Sequence, residues 1–251
     1  MFGRYKIAAL VAEFLGTGIL TLLVLSVKTS NLGVPFFVAL AAGLGFALLT
    51  FVFHAVSGAN FNPALTIGLW TARKLSTLTA VLYVVVQLLG AWAAYGVFTY
   101  LVNNTLPVVK DTFSTRILVT EALGAFILAL GWSSAIYQGY SRAVSATVSG
   151  LAYIVGIIAV SEVTVGLLNP AIALGARSFI LTTYVLGPVI GAVLGINLYG
   201  LLFAPSKAAA VVTGGKTSVF APVAVAAKKP RAAKTVVATP AKKPATRRKK
   251  A

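Results

Sequence analysis

The chain has 251 residues, of which 59% are hydrophobic and only 10% are charged. A soluble domain of this length would need far more charged surface to stay in solution, so the composition favours a membrane protein. The sequence contains no cysteine and one histidine. It therefore cannot form a disulfide, a thiolate metal site or a cysteine nucleophile, and one histidine is too few for the usual metal clusters or His-dependent triads. We expect neither an enzyme nor a cofactor.

Six apolar segments have the length of about 20 residues that a helix needs to cross the hydrocarbon core of a bilayer. They cover residues 7–27, 34–56, 77–102, 115–136, 143–163 and 179–203. Two further segments, 57–74 and 164–177, are too apolar for water-exposed loops, yet Pro and Gly interrupt them. Each contains Asn-Pro-Ala followed by a short apolar stretch, which predicts a re-entrant half-helix between two full spans.

The sequence repeats itself over two halves, residues 5–102 and 113–203. The recurring landmarks are a Glu in the first span, the Asn of the Asn-Pro-Ala motif and a Gly-Ala pair in the last span: Glu13, Asn62 and Gly90-Ala91, then Glu121, Asn169 and Gly191-Ala192. The Glu precedes the Asn by 49 residues in the first half and by 48 in the second. Because each half has three spans, the second half must enter the membrane from the opposite side. The sequence therefore predicts an all-α membrane protein built as an inverted repeat, with six transmembrane helices and two half-helices.

The two Asn-Pro-Ala motifs are predicted to form a pore, and the residues concerned are Asn62, Pro63 and Ala64, then Asn169, Pro170 and Ala171. Asn suits the N-cap of a helix, and Pro suits the first helical position because no N–H is needed there. In an inverted repeat both half-helices would point their positive ends at the bilayer midplane. Each Asn oxygen would cap its own helix while its NH₂ faces a solute, which would exclude cations and break a proton-conducting chain of waters.

These motifs, together with the two glutamates, Gly90-Ala91 and Gly187-Pro188, resemble the aquaporin, or major intrinsic protein, family over about residues 5–203. The resemblance implies a passive channel for water and small neutral solutes, and a homotetramer with one pore in each subunit. It also favours a scaffold role for Glu13 and Glu121, in which each carboxylate accepts N–H groups of a re-entrant loop. The alternative is a proton relay, because carboxylates inside spans are often functional.

The family has a second, outer constriction, typically lined by an aromatic residue, a His or small residue, a residue that presents its backbone, and an Arg. Counting from the two motifs places Ala42, Ile157, Gly166 and Ile172 at these positions. Such a filter has no charge, no aromatic ring and no side-chain donor, which makes glycerol, small alcohols, ammonia and peroxide candidate solutes beside water. We expect Arg177, five residues beyond Ile172, to lie at the outer surface instead.

Residues 204–251 hold 12 Lys and Arg and no acid, whereas the whole chain has a net charge of +17. This Lys-, Ala- and Pro-rich tail is predicted to be disordered. We expect it to be solvated or to associate with anionic lipid head groups rather than with nucleic acid. Basic residues beside a last span favour the inside, so both termini are predicted to be cytoplasmic, in the plasma membrane.

Two other functions remain open from the sequence. A coupled secondary transporter is also built on inverted repeats and broken helices, but its only candidate ion-binding side chains at the midplane would be Glu13 and Glu121. A structural membrane protein could have kept the fold after its pore closed, and the missing filter Arg supports that alternative. A passive channel is the leading hypothesis.

Overall fold

The computed structural model describes residues 4–30, 34–109 and 113–205, and within these ranges the regular secondary structure is helical throughout. The helices are, in chain order, α1 (Arg4–Thr29), α2 (Pro35–Ser57), α3 (Pro63–Thr71), α4 (Thr77–Val102), α5 (Thr115–Tyr137), α6 (Arg142–Ile158), α7 (Pro170–Gly175) and α8 (Leu186–Leu202), the last preceded without a break by a π-helical turn, Leu181–Val185. The predicted tail lies outside the described residues from residue 206 onwards. The order matches six predicted spans and two half-helices.

Five of the helices are long and apolar enough to cross a membrane: α1, α2, α4, α5 and the π-helical turn taken with α8. The sixth, α6, is also apolar but has only 17 residues. At 1.5 Å per residue it reaches about 25 Å, slightly less than the hydrocarbon core of an average bilayer.

The predicted fifth span, 143–163, was wrong at its C-terminal end, because α6 stops at Ile158 and the chain continues in turns. Hydropathy does not register this end, since the next residues are also largely apolar. The physical cause is a long-range contact: the Thr164 hydroxyl bonds to Glu121 of α5 at 2.5 Å, which draws the chain out of the helical path. The sixth span likewise begins at Leu181 rather than at residue 179.

The helices pack in a pattern that is the same in both halves. In the first half α1 packs against α2 and α4, and in the second half α5 packs against α6 and α8. Each half-helix crosses to the other half, so that α3 packs against α8 and α7 against α4. Two further pairs join equivalent elements, α2 with α6 and α3 with α7. This reciprocal packing is the arrangement expected of an inverted repeat.

The contact between α2 and α6 brings two backbones together at Gly43 and Gly150. A Cβ on Gly43 would lie 2.6 Å from the Gly150 carbonyl oxygen, and a Cβ on Gly150 would lie 2.5 Å from the Gly43 carbonyl oxygen. Only glycine lets the two helices approach this closely, as small residues do between helices in membranes.

The distribution of polarity is that of a membrane protein. The exterior carries large apolar side chains, such as Leu48 and Trp92, each 64% exposed. The interior instead holds fully buried polar side chains, among them both predicted scaffold glutamates and both motif asparagines. Lipid accepts an apolar exterior, whereas buried polar groups need partners inside the protein. The chain is an integral membrane protein.

Candidate channel site

Both half-helices begin at an Asn that caps them in the same way. The Asn62 Oδ1 accepts the Ala64 N–H at 2.8 Å, and the Asn169 Oδ1 accepts the Ala171 N–H at 2.9 Å. Both asparagines have extended backbone, with φ of −154° and −147°, and a Pro follows each at the first helical position. The caps satisfy donors that a helix leaves open at its start.

The two asparagines also hold the two half-helices together. The Asn62 Nδ2 donates to the carbonyl of Leu168 at 2.9 Å, and the Asn169 Nδ2 donates to the carbonyl of Phe61 at 2.9 Å. Each acceptor directly precedes the other asparagine. The N-terminal ends of α3 and α7 therefore meet, and their positive ends face each other. An amide NH₂ has two donors, so this exchange leaves one N–H of each asparagine for another partner.

The fully buried Glu13 of α1 anchors the loop before α3. One carboxylate oxygen accepts the Ser57 hydroxyl at 2.6 Å and the Asn60 N–H at 3.0 Å. The other accepts the Phe61 N–H at 2.8 Å and the Gln87 amide at 2.7 Å. All four groups are donors, which is the arrangement of a carboxylate that fixes irregular backbone where lipid offers no partner.

The fully buried Glu121 of α5 has the equivalent position in the second half. It accepts the Thr164 hydroxyl at 2.5 Å, the Leu167 N–H at 3.2 Å and the Leu168 N–H at 2.9 Å. Thr164 follows Ser57 by 107 residues, the separation that also relates the two motif asparagines. Glu13 and Glu121 therefore hold equivalent loops through equivalent residues of the repeat.

Both loops contain residues in the left-handed backbone region at the same places. They are the third residue before each asparagine, Ala59 (φ 58°) and Gly166 (φ 61°), and the residue directly before it, Phe61 (φ 49°) and Leu168 (φ 50°). Such a conformation costs a residue other than Gly roughly 1–3 kcal/mol and persists only where the surroundings enforce it. Here the carboxylates enforce it, since both Phe61 and Leu168 donate their N–H groups to a glutamate.

Sequence reasoning missed the side chains of α4 that hold the first loop. Gln87 donates to Glu13 and also to the Thr66 hydroxyl of α3, at 2.9 Å. The Tyr83 hydroxyl donates to the Ser57 carbonyl at 2.9 Å. A buried amide in the middle of an apolar span is costly without partners, so Gln87 carried a signal that could have been used. Tyr83 carried none, because a Tyr is common in such a span.

The four predicted filter residues are all buried. The structure brings Ile157 against Gly166, since a Cβ on Gly166 would lie 3.0 Å from the Ile157 Cγ2. Ala42 and Ile172 belong to the same buried apolar cluster as Ile157. The filter role of these residues stays a prediction.

Arg177 is exposed and lies outside that cluster, and its position at the outer surface stays a prediction. Its guanidinium carbon is 5.4 Å from the centre of the Tyr95 ring, a cation–π contact between the segment after α7 and α4.

The family model described as Major intrinsic protein matches residues 4–199. The chain belongs to the major intrinsic protein family. Relatives of this family member include Aquaporin AqpM of Methanothermobacter thermautotrophicus, 28% identical over 76% of this chain and 96% of that protein. Another is the glycerol uptake facilitator protein-like 6 of Lactiplantibacillus plantarum, 28% identical over 73% of this chain and 92% of that protein.

Among solved structures, the aquaglyceroporin from Plasmodium falciparum has the same fold, with a TM-score of 0.69 and 23% identity. The match covers 80% of this chain and 98% of that one. The predicted fold class is thereby confirmed. As a major intrinsic protein, the chain is a passive channel for water and small solutes and not an enzyme.

Proposed function

We propose that this major intrinsic protein conducts water and small uncharged solutes through one lumen in each chain, and that its paired half-helices exclude ions and protons. The observation that carries the proposal is the reciprocal bonding of Asn62 and Asn169 to the backbone before each other. This exchange joins two helix N-termini and leaves one amide N–H of each asparagine for a solute.

The mechanism follows from the polarity of these groups. A water at the asparagines turns its oxygen towards their N–H donors, so that it cannot accept a proton from the next water in line. The positive helix ends repel cations and hydronium at the same place. The carboxylates that could have carried a proton accept loop and side-chain donors instead, which supports scaffolding over a relay.

We further propose that Ala42, Ile157, Gly166 and Ile172 form the outer constriction. Their lack of charge favours uncharged solutes, because an apolar ring cannot replace the hydration shell of an ion. Glycerol is a candidate solute beside water, and the relative from Lactiplantibacillus plantarum is named a glycerol uptake facilitator. Ammonia and peroxide are further candidates of suitable size and neutrality.

The assembly is proposed to be a homotetramer in the plasma membrane, with both termini cytoplasmic. The apolar exterior offers ample surface for both lipid and neighbouring subunits. The basic tail would then face anionic head groups on the cytoplasmic leaflet, at about 1 kcal/mol per basic residue near the surface.

Reconstituted protein in liposomes tests the proposal by stopped-flow light scattering after an osmotic shock, and after glycerol and urea gradients. We expect water permeability above that of empty liposomes, with a low activation energy and no dependence on ion gradients. Permeability equal to that of empty liposomes for every solute would favour the closed-pore alternative. That alternative has one observation in its favour, since the side chains of Asn62 and Asn169 are both fully buried.

A further inference from the structure

Two aromatic rings meet in the interior between α2 and α6. The rings of Phe46 and Tyr153 lie edge to face, with centroids 5.4 Å apart and planes at 89°. Both side chains are fully buried. Neither residue belongs to the asparagine motifs or to the proposed outer constriction.

The position of this pair follows from the repeat. Phe46 precedes Tyr153 by 107 residues, the same separation as between Asn62 and Asn169 and between Gly43 and Gly150. Equivalent residues of a two-fold repeat that touch one another must straddle its axis. The aromatic pair and the asparagine pair therefore lie on one axis, both at mid-depth in the membrane.

The aromatic pair also reaches the loops that carry the asparagines. The Phe46 ring contacts the Phe61 ring, with centroids 6.1 Å apart. On the other side, the Tyr153 hydroxyl donates to the Leu167 carbonyl at 3.2 Å. The two rings thus fill the gap between the α2–α6 wall and the paired loops.

The Tyr153 hydroxyl lies beside the loop that carries the second asparagine, because its acceptor, the Leu167 carbonyl, stands two residues before Asn169. The amide of Asn169 donates one N–H to the Phe61 carbonyl, which leaves its second N–H for a solute. A solute that approaches this N–H therefore comes close to the Tyr153 side chain.

We infer that Phe46 and Tyr153, rather than the outer apolar residues, form the constriction that sets the rate and the size limit of conduction. The inference rests on the proposed channel function. Water and ammonia pass beside the Tyr153 hydroxyl, whereas polyols are retarded because the two rings leave no room for a carbon chain. The open, apolar outer constriction then has little influence on the size limit for uncharged solutes.

Four variants test the inference: Phe46→Val, Tyr153→Val, Tyr153→Phe, and the control Phe53→Val. Phe53 lies two helical turns from Phe46 on the same face of α2 and contacts Phe61 with centroids 6.1 Å apart, but it is only partly buried. Water and glycerol permeability are measured per reconstituted protein, and size-exclusion chromatography and circular dichroism verify folding.

We expect Phe46→Val and Tyr153→Val to raise glycerol permeability about tenfold and water permeability by less, because they widen the passage. Tyr153→Phe removes the hydroxyl beside the Leu167 carbonyl, so it should raise water permeability severalfold. Because the ring stays, glycerol permeability should be unchanged. Phe53→Val should match the wild type. Because Tyr153→Phe removes a single oxygen atom, it keeps the test valid if a Val variant fails to fold.

A conducting wild type whose permeabilities are unchanged in Phe46→Val and Tyr153→Phe would overturn the inference and leave the channel function standing. An equal gain in Phe53→Val would also overturn it, since general loosening would then explain the effect. If neither the wild type nor any variant exceeds empty liposomes, the proposed function fails together with the inference.

Discussion

The two re-entrant loops share one design but differ in how firmly they are held. The first loop is bound by Glu13, which is itself fixed by Gln87 of α4, and Tyr83 of α4 adds a bond to the Ser57 carbonyl. The Gly-Ala pairs of α4 and α8 align Gln87 with Pro188 in the second half. Proline has no donor to offer a carboxylate. Glu13 therefore also binds a side chain of α4, whereas Glu121 binds donors of its own loop. The second loop has one further bond, from the Tyr153 hydroxyl of α6 to the Leu167 carbonyl.

The two half-helices also differ, in their length. The first, α3, has nine residues, whereas α7 has six, and a π-helical turn follows in the second half. The second loop and α7 also supply Gly166 and Ile172 of the proposed outer constriction. The first half therefore has the longer half-helix and the carboxylate with the additional side-chain partner, while both halves contribute to the proposed outer constriction.

The largest expected effect comes from removing the two anchors in turn. Glu13→Ala leaves four donors without their acceptor, and each unsatisfied buried donor costs about 1–3 kcal/mol. We expect Glu13→Ala to destabilise the protein by roughly 3 kcal/mol or more. Glu121→Ala should cost less, because the second half has Pro188 where Gln87 of α4 donates to Glu13, so no such side-chain donor loses its acceptor. The thermal unfolding midpoint of each variant in detergent measures the difference.

The control for this comparison is Glu162→Ala, since Glu162 is an exposed carboxylate on the segment after α6. Its unfolding midpoint should match that of the wild type. Equal losses for Glu13→Ala and Glu121→Ala would contradict the unequal anchoring of the two loops.

A smaller effect is expected at the start of α7, where Ile172 belongs to the proposed outer constriction. Ile172→Arg introduces a long cation into the buried apolar cluster that also contains Ile157. It should lower glycerol and urea permeability by about tenfold, because it narrows the proposed outer opening. Ile172→Leu keeps the volume and should leave both permeabilities unchanged. An unaltered solute profile in Ile172→Arg would show that the mapping of the outer constriction is wrong.

The sequence was sufficient to predict the spans, the two half-helices and the two anchoring glutamates, because these features recur in both halves of the repeat. Spans follow from length and hydropathy, the half-helices from Asn-Pro at their starts, and the glutamates from their matched spacing to the asparagines. The end of α6 was missed because hydropathy continues past Ile158, whereas the contact between Thr164 and Glu121 ends the helix.

The contact between Phe46 and Tyr153 was not predicted from the sequence, although their spacing indicates that they are equivalent residues of the repeat. An aromatic residue in a span is equally consistent with lipid contact and with core packing, so neither Phe46 nor Tyr153 was distinguishable by type. Their separation of 107 residues was nevertheless present, and it equals that of the asparagines. What the sequence could not supply was the direction of the side chains, which decides that both rings point towards the loops.

In the proposed mechanism, donors from two opposed half-helices meet at the asparagine pair, admit water and stop protons. The most direct test records osmotic water flux and proton flux together, in the same liposomes, with light scattering and an entrapped pH-sensitive dye. We expect water permeability above that of empty liposomes while the internal pH stays constant under an imposed proton gradient. Water flux accompanied by proton flux through the protein would contradict it.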